Sequence, residues 1–172
     1  DLVVSVMAAV IDEPGWTHAA MAQHVGMANA QVFRAVRQAA RLGLLLAEPS
    51  NGRIIYRAHK AALAEFLIHG VKYYAVPSRG RITRGIPTAH AAPVLASKIR
   101  TVDDAVPVWP DPDGPVRGES FEPLHRCVPG AARRHDRFYD VMALVDAIRG
   151  GRARERALAT KLLPGALDAA RA

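Results

Sequence analysis

Amide and guanidinium side chains recur between Gly26 and Ala47, a stretch of the sequence that contains no acidic residue. Arginine can bond guanine with two hydrogen bonds, asparagine or glutamine can do so with adenine, and an aromatic ring can contact the thymine methyl group. The chemistry available to this stretch is therefore the reading of base edges in duplex DNA. The side chains expected to face outward and do this are Asn29, Gln31, Phe33, Arg34, Arg37 and Gln38.

A second polar group surrounds the dipeptide Asn51-Gly52. Asn-Gly between two β-type segments favours a tight hairpin, and the segments here are residues 44–48 and 53–57, with a predicted turn over residues 49–52. Asn51 and Arg53 would lie at the tip of this hairpin. We expect them to approach DNA phosphates or the minor groove.

Helical segments must hold these side chains in place. Apolar spacing predicts helices over residues 2–11, 29–42 and 60–69, and Thr17 can cap a further helix that Gly26 ends. In the third helix, the positions expected to face the core are Val32, Val36, Ala39 and Ala40. Gly43 is the expected stop of that helix.

The order of these elements, carried by residues 21–37 and by Leu42-Gly43-Leu44-Leu45, resembles the winged helix-turn-helix of bacterial transcription regulators of the MarR and ArsR kind. The resemblance covers residues 1–70 and implies DNA binding by the third helix and the hairpin. The sequence departs from the pattern at Ala28, where Ser or Thr is the usual cap, and at Ala39, where Leu usually packs. Unless Asn29 replaces the missing cap, the helix loses about 1 kcal/mol.

Regular patterns are fewer after residue 70. We predict a strand over 71–76, a short helix over 94–100, extended irregular chain over the proline-rich stretch 107–129, and helices over 137–149 and 152–163. The 137–149 helix has an apolar stripe that either completes the core of this chain or forms a dimer seam. Short segments within residues 84–93, 108–112 and 144–156 resemble uncharacterised regulators that are encoded beside nucleotidyltransferase-type toxins.

Charge and composition limit the class of protein. The formal net charge of +7 lies entirely within residues 1–100, so a polyanionic partner is expected there. One cysteine, Cys127, excludes an intrachain disulfide and a multi-cysteine zinc site and fits a cytoplasmic protein. Apolar runs such as 44–47 are too short for a membrane span.

Other residues are of types that bind nucleic acid, bind metals or act in catalysis, but simpler structural interpretations account for most of them. Arg79, Arg81 and Arg84 lie near two tyrosines and either contact nucleic acid or pair with acidic residues of the second half. His90 is expected to be a partly buried structural histidine. His125 and Cys127 lack further zinc ligands, and residues 111–114 fail the pattern of a calcium loop. We therefore predict no catalytic residue, no metal site and no cofactor.

Together these observations predict an α+β protein with a winged helix-turn-helix domain over 1–70 and a less regular extension over 71–172 that ends in helices. The predicted function is sequence-specific binding of double-stranded DNA by a homodimeric transcription regulator, and not an enzymatic activity. The alternative is an antitoxin-like or scaffolding module that binds a partner enzyme through its second half and uses the winged helix for autoregulation.

Overall fold

A computed structural model describes residues 1–13, 15–99 and 105–168 and confirms the α+β class. The first part of the chain contains three helices, a β-hairpin and a longer helical segment. They are α1 (Leu2–Ile11), α2 (His18–Val25), α3 (Asn29–Arg41), β1 (Leu45–Ser50), β2 (Arg53–Ala58), α4 (Lys60–Glu65), a π-helical turn (Phe66–Gly70) and α5 (Val71–Tyr74).

The second part consists of three strands and several helices. They are β3 (Arg79–Pro87), a 3-10 turn (Ala89–Ala91), α6 (Pro93–Ala96), β4 (Pro107–Pro110), β5 (Val116–Phe121), α7 (Val128–Ala132), α8 (Asp136–Gly150) and α9 (Ala153–Asp168). None of the helices formed by the described residues has the length and apolar composition needed to cross a bilayer.

Local signals explain the ends of α2 and α3. The Thr17 hydroxyl accepts a hydrogen bond from the Ala20 amide at 3.1 Å, and Gly26 ends α2 at φ +73°. At the start of α3 the cap differs from the expectation, because Asn29 is already the first helical residue. The Gln31 side chain instead accepts a hydrogen bond from the Ala28 amide at 3.2 Å, which is half of a capping box.

The β1–β2 hairpin has a shorter turn than we predicted. Ser50 pairs with Arg53, so only Asn51 and Gly52 form the loop, and Pro49 lies within β1. Both loop residues have positive φ, 48° and 72°, as a type I′ turn requires. The prediction of Pro49 and Ser50 as turn residues was wrong because strand pairing extends through both of them.

The predicted strand at 71–76 is also wrong, since the helix that begins at Lys60 continues through the π-helical turn into α5. Val71 is fully buried whereas Tyr73 and Tyr74 are exposed, so packing of one residue against the core overrides the β propensity of this segment. Residue 70, the predicted domain boundary, therefore falls inside a continuous helical segment.

The proline-rich stretch contributes strands that we predicted as irregular chain. β3 pairs antiparallel with both β4 and β5, and β4 and β5 pair in parallel, so the three strands form a closed sheet. Pro107 and Pro110 stand at the two ends of β4, where a missing amide is tolerated. Gly85 is required for closure, because a Cβ atom there would lie 2.2 Å from the Trp109 carbonyl oxygen.

One hydrophobic core spans both parts of the chain. Every residue of α1 is buried, and α1 contacts α2, α3, β2 and α4 as well as α8 and α9. Residues 141–149 of α8 are buried all round, and its apolar stripe belongs to this core. The stripe therefore completes the chain's own core, and the dimer-seam interpretation of that stripe was wrong.

The helix that we predicted over residues 94–100 is shorter in the structure, where α6 covers only Pro93–Ala96. Residue 100 lies outside the described residues.

A buried polar cluster ties α8 to the closed sheet. Asp146, fully buried, accepts hydrogen bonds from Trp109 Nε1 at 2.6 Å, Thr88 Oγ1 at 2.7 Å and Arg149 Nε at 2.8 Å. Arg149 also donates to the carbonyl oxygens of Ala75 and Glu122. Burial raises the pKa of Asp146, while Arg149 and the three hydrogen bonds oppose that rise.

Candidate nucleic-acid interface

The exposed face of α3 is the strongest candidate for an interface. Val32, Ala35, Val36 and Ala39 are buried and define the inner face of the helix. Arg34 and Arg37 lie on the opposite side and are exposed, as predicted. Because side chains three and four positions apart share one helix face, these two arginines extend from the same surface.

Arg41 belongs to the same face, and the sequence analysis missed it. It is exposed and lies one helical turn beyond Arg37, since α3 continues to Arg41. Its position follows from the 3.6-residue period alone, and the predicted set ended too early at Gln38. The face therefore carries Arg34, Arg37 and Arg41 in successive turns.

Acidic partners of these arginines are missing among the residues that the structure describes. None of Arg34, Arg37, Arg41 and Arg53 forms an ion pair with an acidic side chain of the described residues. The ion pairs of the first part of the chain lie elsewhere, between Lys60 and Asp12 and between Arg57 and Glu48. The guanidinium charges on α3 therefore remain available to an anionic partner.

Phe33 supports this face from one side. Its ring is 48% exposed, lies 5.4 Å from the His18 ring, and has the Arg37 guanidinium 5.7 Å from its centroid. The contact with Arg37 is a cation–π interaction that holds the guanidinium beside the ring. Phe33 thus positions Arg37 and still presents an open apolar edge.

The remaining predicted residues of α3 occupy its ends and its other flank. Asn29 is exposed in the first turn. Gln31 is half-buried, and its carbonyl oxygen caps the helix, so its side chain is already engaged. Gln38 is exposed but lines a cavity between α3 and the second part of the chain. Of the two glutamines, Gln31 is therefore engaged in the cap, and Gln38 lines the cavity from one edge of the arginine face.

The hairpin tip holds the other two predicted residues. Asn51 and Arg53 are exposed on either side of Gly52, and Ile54 beside them is 63% exposed. Gly43, at φ +72°, lets the chain leave α3 and enter β1. Local turn chemistry thus places a cationic side chain at the end of a short two-stranded ribbon.

The arginines of β3 are more engaged than those of α3. Arg79 donates to the Glu119 carboxylate at 2.6 Å and to the Gly150 carbonyl oxygen at 3.0 Å. Arg84 donates to the Gly114 carbonyl oxygen at 3.2 Å, and Arg81 is exposed. Two of the three guanidinium groups therefore form hydrogen bonds within the second part of the chain.

The histidines and the cysteine have structural surroundings. His90 is buried, and its Nδ1 lies 3.4 Å from Glu155 Oε1. Burial raises the pKa of the Cys127 thiol to about 11, so the thiolate nucleophile is scarce at neutral pH. In the part of the chain that the structure describes, His, Cys, Asp and Glu nowhere form a group of three able to hold a metal ion. Asp111 and Asp113 belong to segment 111–114, which we compared with a calcium-binding loop, and both form ion pairs with Arg133.

Comparison of this chain with protein-family models, with curated proteins and with solved structures finds no match. The physical character of the α3 face and of the hairpin tip therefore carries the functional argument.

Proposed function

We propose that residues 1–70 form a winged helix-turn-helix that binds double-stranded DNA in a sequence-specific manner. In this proposal α2 and α3 are the helix-turn-helix, α3 enters the major groove, and the β1–β2 hairpin is the wing. The observation that carries the proposal is the row of Arg34, Arg37 and Arg41 along one exposed face of α3, without acidic partners among the described residues.

The dimensions of DNA fit this arrangement. The major groove is about 12 Å wide and admits one α-helix, whose outward side chains then reach base edges. Arg34 lies in the first half of α3, the part of a recognition helix that typically contacts bases, whereas Arg41 at its end suits a phosphate. Arg53 at the tip of the wing suits a phosphate or the minor groove.

We further propose that the protein regulates transcription as a cytoplasmic homodimer. A two-fold dimer recognises an inverted repeat whose half-sites lie about one or two helical turns apart. Because the apolar stripe of α8 is buried within the chain, the seam would use another surface. The molecular mass of the protein in solution, obtained from scattering, tests whether it is a dimer. A strict monomer bound to an asymmetric DNA site would contradict this proposal.

Selection of bound fragments from random duplex DNA at physiological salt tests the DNA-binding proposal. We expect enrichment of one sequence family by the full chain. A variant with Arg34, Arg37 and Arg41 all changed to alanine should enrich nothing, and its circular dichroism spectrum should match that of the unchanged protein. Equal enrichment by both proteins, or by neither, would contradict the proposal.

One observation favours a second function, the binding of a partner protein. Apolar side chains are exposed on α5, on β3 and in the segment between them, with Tyr73 79%, Val76 73% and Ile82 57% exposed. Large apolar side chains exposed close together in the sequence suit contact with another protein. A neutralising or scaffolding role predicts a stoichiometric partner that co-purifies with the full chain and is lost from Val76→Asp, while DNA binding is unchanged.

A further inference from the structure

An open recess lies between the start of α2 and the first half of α3. The described residues that line it are Thr17, His18, Ala19, Asn29, Ala30, Phe33 and Arg34. The recess holds about 590 Å³ and is wide open to solvent, so it admits the edge of a base but does not enclose a small molecule. It lies along the half of α3 that a recognition helix typically turns toward base edges.

The side chains of this recess are of the types that contact methyl groups in the major groove. Phenylalanine, alanine and the methyl group of threonine are typical contacts of the C5-methyl group of thymine. The recess contains all three types, in Phe33, in Ala19 and Ala30, and in Thr17. Both alanines are exposed and Phe33 is 48% exposed, so apolar surface remains uncovered there.

Aromatic contacts hold the Phe33 ring in place. Its centroid lies 5.4 Å from that of the His18 ring. The His18 ring in turn lies 6.4 Å from Trp16 and 6.1 Å from Tyr56 of β2. The Arg37 guanidinium is a further contact of Phe33. Because its neighbours already restrict this ring, contact with a base costs less conformational entropy than it would for a mobile side chain.

The charges around the recess favour DNA as its occupant. None of the described residues that line it is acidic, and one of them is Arg34. Arg37 and Arg41 continue the exposed basic face along α3. An apolar protein surface or a hydrophobic small molecule would leave these guanidinium groups without an anion, whereas DNA phosphates match their charge.

The residue types also discriminate between pyrimidines. Cytosine presents its N4 amine in the major groove, where Asp or Glu side chains typically accept a hydrogen bond from it. The described lining of the recess offers no such carboxylate, so an unmodified cytosine gains little from it. A pyrimidine with a C5-methyl group gains an apolar contact instead. Thymine and 5-methylcytosine both carry this group.

We propose that Phe33 and this recess read the C5-methyl group of a pyrimidine beside the guanine that Arg34 bonds, so that the protein distinguishes C5-methylated from unmethylated DNA. The proposal rests on the DNA-binding function proposed above and names the chemical group that this function selects. Phe33 and Arg34 are consecutive residues of α3 and both line the recess, so the bases that they contact are neighbours.

Single-base changes in the selected duplex test this proposal. Each thymine is replaced in turn by uracil, which removes only the methyl group, and then by cytosine or 5-methylcytosine with guanine opposite. At one position, adjoining the one where Arg34→Ala relaxes preference, we expect thymine to bind about 4-fold more tightly than uracil. At the same position 5-methylcytosine should bind about 4-fold more tightly than cytosine, since burial of one methyl group gives a factor of this size.

Variants of the protein assign this effect to the recess. Phe33→Ala should bring both affinity ratios to about 1, whatever its effect on overall affinity. Phe33→Leu keeps an apolar side chain and should keep both ratios above about 2. The matched control is Leu42→Ala, because Leu42 is 58% exposed just beyond α3 and lies outside the recess, and it should leave both ratios unchanged. Circular dichroism and thermal unfolding establish that each variant is folded.

The possible failures are distinguishable. Equal affinities within either pair of duplexes at every position, or the same ratios in Phe33→Ala and Leu42→Ala, would overturn methyl reading and leave DNA binding intact. A selected site without a fixed thymine would overturn it as well. If the chain selects no duplex at all, the proposed function itself fails, and methyl reading fails with it.

Discussion

The arginines of α3 and of the hairpin tip have different expected roles. Arg34 lies on the exposed face of a helix, and Arg53 lies on a two-stranded ribbon. Losing a bidentate contact to a base costs about 1–3 kcal/mol and relaxes preference at one position. Losing a phosphate contact weakens all sequences alike and lowers the salt slope by about one unit.

We therefore expect Arg34→Ala to narrow the affinity gap between selected and random duplexes, whereas Arg53→Ala lowers both affinities and leaves the gap intact. Titration of each variant against both duplexes at several salt concentrations measures this. Identical behaviour of the two variants, with an unchanged affinity ratio, would mean that α3 does not read sequence.

Gln31 has a different expected role from the one that the sequence indicated. We predicted that it reads bases, but its side chain caps α3. Capping boxes are recognised from a Ser or Thr cap followed by Glu or Gln, and Ala28 hides that signal. The arginines, in contrast, follow from helical periodicity alone, which is why their exposure was predictable.

Asp146 should matter for stability more than any exposed carboxylate. Its removal in Asp146→Ala leaves Arg149 buried without its charge partner, so the free energy of unfolding should fall by about 3–5 kcal/mol. Thr88→Val removes a single donor to the same carboxylate and should cost about 1–2 kcal/mol. Denaturant unfolding monitored by circular dichroism measures both losses.

The matched control is Asp113→Ala. Asp113 pairs with Arg133 at 3.6 Å but is largely exposed, so its loss should cost less than about 1 kcal/mol. Equal losses for Asp146→Ala and Asp113→Ala would show that the buried cluster adds nothing beyond an exposed ion pair.

Two histidines join α2 to the start of α8. His24 Nδ1 lies 3.2 Å from His135 Nε2, and Arg134 donates to the His24 carbonyl oxygen at 3.1 Å. Burial lowers the pKa of His135 below 6.5, and the charges of His24 and Arg134 lower it further, while Asp136 raises it. The folded state therefore favours the neutral His135 ring.

This shift makes stability depend on pH. Because the folded pKa of His135 is lowered, its contribution is present above the unfolded pKa of about 6.5 and is lost as pH falls through the folded value. We expect His135→Gln to show a smaller loss of unfolding free energy between roughly pH 7 and pH 5 than the unchanged protein.

His69→Gln, at an exposed position of the π-helical turn, is the control and should keep the original pH dependence. Urea unfolding at a series of pH values provides the comparison. A pH dependence that is the same in His135→Gln and His69→Gln would exclude His135 as its source.

The two parts of the chain depend on one hydrophobic core for their stability. α1 is buried on all sides, with part of its surface covered by α8 and α9. A fragment of residues 1–74 would expose that surface to water, at roughly 25 cal/mol for each Å² of apolar area. We expect the fragment to lose cooperative thermal unfolding, although helical circular dichroism persists in part.

The full chain measured under the same conditions is the reference for this fragment. Cooperative unfolding of residues 1–74, with near-ultraviolet signals of packed Trp16 and Tyr56 retained, would show that the first part folds independently of α8 and α9. Those two rings stack on each other at 6.0 Å, so their spectrum reports the packing of the first part.

Several features of the fold depend only on neighbouring residues and could be predicted from the sequence. Thr17, Gly26, Gly43 and the Asn51-Gly52 turn set the ends of α2, α3 and the hairpin strands through single hydrogen bonds and positive φ angles. The arginine face of α3 followed from its 3.6-residue period. These signals act over a few residues, so they can be read before the fold is known.

Other features require partners that are distant in the sequence, and they became visible in the folded chain. Val71–Tyr74 is helical because Val71 packs in the core, and the proline-rich stretch forms strands because β3 pairs with both β4 and β5. The same holds for the burial of α8 and for the cavity beside α3, which residues 1–3 and 124–125 line together. Contacts between residues far apart in sequence leave no local pattern, and their energy is gained only when the chain is packed.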